Sequence, residues 1–159
     1  GFVRSQTAIG LMFIHGRGVE QNDAEALKWL RTAAERDSTV AQTNLALMYV
    51  KGRGTAMDYE KAAKYFALAA RKGSAIAQNK LGIMYEYGKA VARDEVKAYA
   101  WYCLAAERGN ENSHIRMKSL SGRLSSSEKL KAEKLVRLYA KDMPSLRKRS
   151  SDRLAAAGI

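Results

Sequence analysis

Residues 38–73 read STVAQTNLALMYVKGRGTAMDYEKAAKYFALAARKG, and the chain repeats this stretch on both sides at a shift of 36 residues without a gap. Met12, Met48 and Met84 fall in one column, and Gly16, Gly52 and Gly88 in another. Ala26, Ala62 and Ala98 make a third column, Ala33, Ala69 and Ala105 a fourth, and Ala34, Ala70 and Ala106 a fifth. Related residues fill further columns: Phe13, Tyr49 and Tyr85; Trp29, Tyr65 and Trp101; Arg17, Arg53 and Lys89. A fixed period of this length is the mark of stacked supersecondary units, each unable to bury its apolar face alone.

Each unit reads as two helices. Ala41, Leu45, Met48 and Tyr49 recur at helical spacing and define a helix A. Gly52 and Gly54 end it, because glycine enters the left-handed turn that closes a helix. Asp58 then offers an acceptor to the free amides of helix B, whose buried stripe is Ala62, Tyr65, Phe66, Ala69 and Ala70. Gly73 closes that helix and Ser74 caps the next. The same punctuation recurs as Asn22 or Asp23, Asp37 and Ser38, and again as Asp94, Gly109 and Asn110. Small residues at 26, 33 and 34 and their equivalents let helices approach closely, while Trp29, Tyr65 and Trp101 are expected to fill the space between pairs.

A faint fourth unit begins at Ser113-His114 and loses the pattern by Gly122. Ser125 to Glu128 offers a capping box, Leu130, Leu135, Leu138 and Tyr139 suggest an apolar stripe, and Pro144 bars further helix. A helix over 124–142 is therefore expected to cover the open end of the array. The resulting division is 1–37, an N-terminally truncated repeat; 38–73; 74–109; 110–142, a partial repeat with a capping helix; and 143–159, a basic tail. Because Gly1 falls inside a helix A, further repeats are expected before it.

The chain has 159 residues and a net charge of +12. The charge is uneven: residues 1–112 carry 16 Lys and Arg against 12 Asp and Glu, and residues 113–159 carry 12 against 4. The basic end reads first as a solvated helix and tail; the rival reading is an anchor for anionic lipid or nucleic acid. Nucleic acid needs aromatic platforms among the cations, and Tyr139 is the only aromatic residue after Tyr102. With a single cysteine, Cys103, neither an intrachain disulfide nor a cysteine-based zinc site can form. No apolar run approaches the ~18 residues of a membrane-spanning helix.

The motifs Leu81-Gly82-Ile83-Met84-Tyr85, Gly16-Arg17-Gly18-Val19 and Asp58-Tyr59-Glu60-Lys61-Ala62, followed by Tyr65, Ala69-Ala70 and Gly73, resemble the Sel-one-like repeat family, a relative of the tetratricopeptide repeats. Ala90, Ala46 and Asp37 depart from that pattern where glycine is expected. The resemblance covers residues 5 to about 112. With the repeat it implies an all-α, right-handed α-solenoid of helix–turn–helix units with a C-terminal capping helix. It further implies a bacterial, cytoplasmic or periplasmic scaffold or adaptor that binds another protein or a peptide segment.

Catalytic chemistry finds no support in these residues. His15 and His114 occupy unrelated columns, and no metal-ligand spacing occurs. Cys103 reads as a partly buried structural thiol. Asp94-Glu95 sits at a helix start, where acids stabilise the amide end. The Gly-Arg-Gly loops lack the Gly-Lys-Ser/Thr ending of a phosphate cradle. No cofactor, metal or small-molecule substrate is expected, and the chain does not read as an enzyme.

Helix A is apolar on two faces, more than one buried stripe requires. At ~100° per residue, Val40, Thr43, Leu47 and Val50 lie opposite the packed side. The matching residues are Leu11 and Ile14 in the first unit and Ile76 and Ile83 in the third. With Lys51 on the rim, beside Arg4, these positions are expected to line an apolar groove for a partner segment with acidic flanks.

Overall fold

The computed structural model describes residues 1–143. Those residues form eight helices and no strand: α1 (Phe2–His15), α2 (Asp23–Glu35), α3 (Thr39–Lys51), α4 (Tyr59–Arg71), α5 (Ala75–Tyr87), α6 (Glu95–Glu107), α7 (Glu111–Ser121) and α8 (Ser126–Ala140). This is an all-α repeat fold. The tail expected over 143–159 lies, Met143 apart, outside the described residues, as does Pro144.

The invariant columns have local causes. Asn22 accepts hydrogen bonds from the amides of Ala24 and Glu25 at 3.1 and 3.0 Å. Ser38, Ser74, Asp94 and Asn110 serve α3, α5, α6 and α7 in the same way, and Asp58 accepts from the Lys61 amide at 2.8 Å. At the other end, Gly16, Gly52 and Gly88 stand at φ 64°, 64° and 66°. There each cap amide can donate to the carbonyl of Met12, Met48 or Met84, a left-handed turn that a Cβ would strain. Ala90 and Asp37, two of the departures from the family pattern, take left-handed φ of 58° and 74° nonetheless.

The chain forms two compact units, Gly1–Ala69 and the part from Ala70 on. In the first, α1 packs on α2 and α2 on α3, around fully buried Ala26, Leu30, Ala33, Ala41 and Leu45. In the second, α6 packs on α5, α7 and α8. Ala98, Tyr102 and Leu120 form its centre, with Ile83, Tyr85, Tyr99 and Met117 packed around them. Every member of the three alanine columns except Ala106 is buried, so close helix approach is their role.

One column escaped the sequence reading. Gln6, Gln42 and Gln78 are all buried. The amide of Gln42 donates to the Ala34 carbonyl at 3.2 Å, and that of Gln78 to the Ala70 carbonyl at 3.0 Å. Gln42 and Gln78, near the starts of α3 and α5, thus each bond a carbonyl at the end of the preceding helix that has no partner within its own helix.

Two expectations need correction. Trp29 is half-buried, whereas Trp101 is buried; the Tyr139 ring stacks on Trp101 with centroids 4.4 Å apart. On α8, Leu130 and Leu138 are 55% and 60% exposed. The face turned inward is Ala132, Leu135 and Tyr139, which follow at helical spacing. The small Ala132 admits close contact, and rotating the helix to bury Leu130 would pull the Tyr139 ring off Trp101. The capping box forms as expected, with Ser125 and Glu128 each accepting the other's backbone amide.

Candidate protein-interaction faces

The groove positions are graded in exposure. On α3, Val40 is 53% exposed, Leu47 and Val50 are half-buried and Lys51 is exposed. Thr43 is buried, its hydroxyl donating to the Thr39 carbonyl at 2.9 Å. On α1, Leu11 is half-buried and Ile14 is buried, so Ile14 contributes to the core. On α5, Ile76 is 52% exposed, while Ile83 is half-buried against the Ala98–Tyr102–Leu120 cluster. Leu11, Leu47 and Ile83 share one column and one degree of burial; Val40 and Ile76 share another. Arg4, in their column, is also exposed.

A second surface was not foreseen. In the first unit, Arg31, Tyr49, Thr55, Lys61, Lys64 and Tyr65 line an open cleft of about 370 Å³. The rings of Tyr49 and Tyr65 stack nearly parallel with centroids 6.0 Å apart. Arg31 donates to the Tyr49 hydroxyl at 3.3 Å, and that bond raises its pKa above the ordinary arginine value. Lys61 Nζ stands 5.6 Å over the Tyr49 ring and pairs with Asp58 at 2.9 Å. Burial raises the Tyr65 phenol above its usual range. The signal was present in sequence as a paired pattern, tyrosine at 49 and 85 with lysine twelve residues on at 61 and 97. By helical periodicity alone these tyrosines read as packing residues.

In the second unit, Glu86 is a charged hub. It accepts the Tyr102 hydroxyl at 2.7 Å and pairs with Arg116 at 3.0 Å and Arg123 at 3.4 Å. Part of the positive charge after Ser113 therefore fastens α7 and the turn after it to α5 and α6.

These surfaces offer contact chemistry. His15 and His114 are exposed, and burial pushes the Cys103 thiol up to about 11, far from an activated nucleophile. Among the described residues, no three His, Cys, Asp or Glu side chains gather as metal ligands. Among the same residues, no helix is long and apolar enough to cross a membrane.

A family model described as Sel1 repeat matches residues 3–38, 39–74 and 75–110. Among solved structures, the chain is similar to a protective antigen present in uropathogenic Escherichia coli strains displaying an SLR fold. The two are 36% identical with a TM-score of 0.75, over 77% of this chain and 26% of that one. It is also similar to a Sel1 repeat protein from Oxalobacter formigenes, at 33% identity and TM-score 0.70, over 72% of this chain and 47% of that one. The chain thus spans about a quarter and about a half of these two relatives.

Proposed function

The chain belongs to the Sel1 repeat family, whose members generally act as protein–protein interaction scaffolds, and from that premise we propose that it is a non-catalytic adaptor. A groove of the first unit, on this reading, holds a partner helix or extended segment against Leu11, Val40, Leu47 and Val50, and Ile76 and Ile83 offer the matching positions on α5 of the second unit. The observation that carries the reading is the exposure of Val40 and Ile76, β-branched residues held at equivalent helix positions where the fold does not bury them. Exposed apolar side chains at a repeated register suit a partner's apolar stripe. Exposed Lys51 favours acidic flanks on that partner.

Leu47→Glu tests this. The variant is expected to keep wild-type helical content and melting temperature while losing capture of the partner by affinity pull-down with the parent protein. Unfolding would place Leu47 in the core, and retained capture would place binding elsewhere. Binding that survives Leu47→Glu and falls steeply with salt would favour the rival anchor, whose basic helix α8 exposes Leu130 and Leu138 beside Lys131, Lys134 and Arg137. A nucleic-acid version of that rival has little support, because Tyr139 is engaged on Trp101.

A further inference from the structure

The third repeat shows what a cleft of this kind accepts. Tyr85, Lys97 and Trp101 stand at the columns of Tyr49, Lys61 and Tyr65. Lys97 Nζ lies 5.5 Å over the Tyr85 ring, as Lys61 lies 5.6 Å over Tyr49. Asp94 pairs with Lys97 as Asp58 pairs with Lys61. In the third repeat this chain supplies its own occupant: Tyr139 of α8 stacks on Trp101 at 4.4 Å with planes 9° apart, close enough to Tyr85, Lys97 and Asp94 to feel them electrostatically. In the second repeat Tyr49, Lys61 and Tyr65 line the open cleft, with Tyr49 itself stacked on one side of Tyr65 at 6.0 Å.

The two copies differ in a directed way. Arg31, Lys64 and Thr55 of the second repeat's cleft replace Ala67, Ala100 and Val91 at the third. Arg71, the counterpart of Glu35, lies near Tyr139 in the filled copy, so the open copy carries three cations, Arg31, Lys61 and Lys64, against two, and two more hydroxyls, those of Thr55 and Tyr65. Lys61 is engaged by Asp58, and Glu35 lies near Arg31. Lys64 is exposed and has no ion pair among the described residues. Arg31 spends one donor on the Tyr49 hydroxyl and has others to offer.

We propose that the cleft of the second repeat is a socket for an aromatic side chain of a partner protein, stacked on Tyr65, with acidic neighbours of that side chain held by Arg31 and Lys64. The stacking follows the copy of the arrangement within this chain, and the acidic flank follows from the exposed Lys64, which has no ion pair among the described residues, and from the remaining donors of Arg31. The inference rests on the reading of the chain as a protein-binding array and adds a contact separate from the apolar groove.

The test is a titration of the full chain against a fluorescein-labelled peptide with one central tyrosine between glutamates, read by anisotropy. Two control peptides replace the tyrosine by alanine or the glutamates by glutamine. The parent peptide is expected to bind and the alanine control to bind at least about fivefold more weakly, the loss of one aromatic stack. Lys64→Glu and Arg31→Ala are each expected to weaken the parent peptide about fivefold or more, against a weaker effect on the glutamine control. Tyr65→Leu should abolish the preference for tyrosine; if it unfolds, the exposed Lys64→Glu variant decides alone. Equal binding of the alanine control would reduce the cleft to an anion patch and overturn the proposal. So would indifference to Lys64→Glu, or no binding at about 1 mM peptide, the weak end of specific recognition. Leu47→Glu should bind the peptide as wild type does. Loss of peptide binding with partner capture intact would sink the socket and leave the scaffold reading standing.

Discussion

A methyl group added at Gly82 would meet the Tyr102 ring at 2.6 Å. That ring cannot swing away, because it is fully buried and its hydroxyl is held by Glu86. Gly82→Ala is therefore expected to cost about 1–3 kcal/mol, the usual range for overpacking, measured by urea denaturation. An unchanged midpoint would show that α5 and α6 can part without loss. Gly10 meets Leu30 in the same way, while Ala46 shares the column and is buried with its methyl accommodated. Charge acts at this scale too. Arg53 Nε donates to Asp23 Oδ2 at 2.9 Å, and its guanidinium also donates to the Ile14 carbonyl at 3.2 Å. The hydrogen bond from Arg53 holds the Asp23 carboxyl below its ordinary 3.8. A depressed folded pKa means stability that is present above 3.8 and is lost as pH falls through the lower folded value. The stability gap between wild type and Asp23→Asn should accordingly be open at pH 6 and shrink below pH 3.8. A gap that stays constant down to acid unfolding would assign the loss to geometry and not to charge.

At the scale of elements, α8 packs on α6 through residues other than those expected. Its inner face is Ala132, Leu135 and Tyr139, and Met143 beyond it is fully buried beside the Gln78 amide. A repeat array exposes an apolar face at its end unless an element covers it, and here the exposed face would include Trp101. Removing residues 124–159 is expected to lower the melting temperature. Tyr139→Ala should reproduce part of the loss, at about 1–3 kcal/mol for a half-buried stacked ring. An unchanged melting temperature for both would show that α8 is an appendage. The same stack explains why Trp101 is buried and Trp29, in the same column, is not.

Over the whole molecule, repetition divides labour between what is copied and what is varied. The copied columns are caps, glycine turns, small residues and buried glutamines, all of which serve helix ends and helix contacts. The varied positions carry the surface. Arg31 of the first repeat and Lys64 of the second mark the open cleft, Glu86 replaces the Ile14 and Val50 column in the third, and Arg116 and Arg123 join it from the segment beyond. The excess of positive charge after Ser113 is thus partly structural. That is why salt sensitivity by itself does not separate an anchor from a scaffold, whereas salt sensitivity combined with the Leu47→Glu result does.

The sequence by itself determined the helices, their ends and their repetition, because these depend on residues a few positions apart. An αL glycine, an N-cap side chain and a 3.6-residue stripe are local devices, and Ser38, Gly52, Asp94 and Ser125 could be read directly, whereas the structure chose Asn22 over Asp23 as a cap. It also determined the family resemblance, carried by those same motifs. What only the tertiary structure decided were the contacts between elements distant in the chain. Nothing near Tyr139 shows that it lies on Trp101, and nothing near Leu130 shows that the helix turns that residue outward. The cleft at Tyr65 combines side chains from α2, α3, α4 and the loop between the last two, so no window of sequence contains it. Burial behaves alike: Ile14 and Val50 share a column, but one is core and the other half-exposed, because exposure is set by the neighbours a helix acquires on packing and not by its own periodicity.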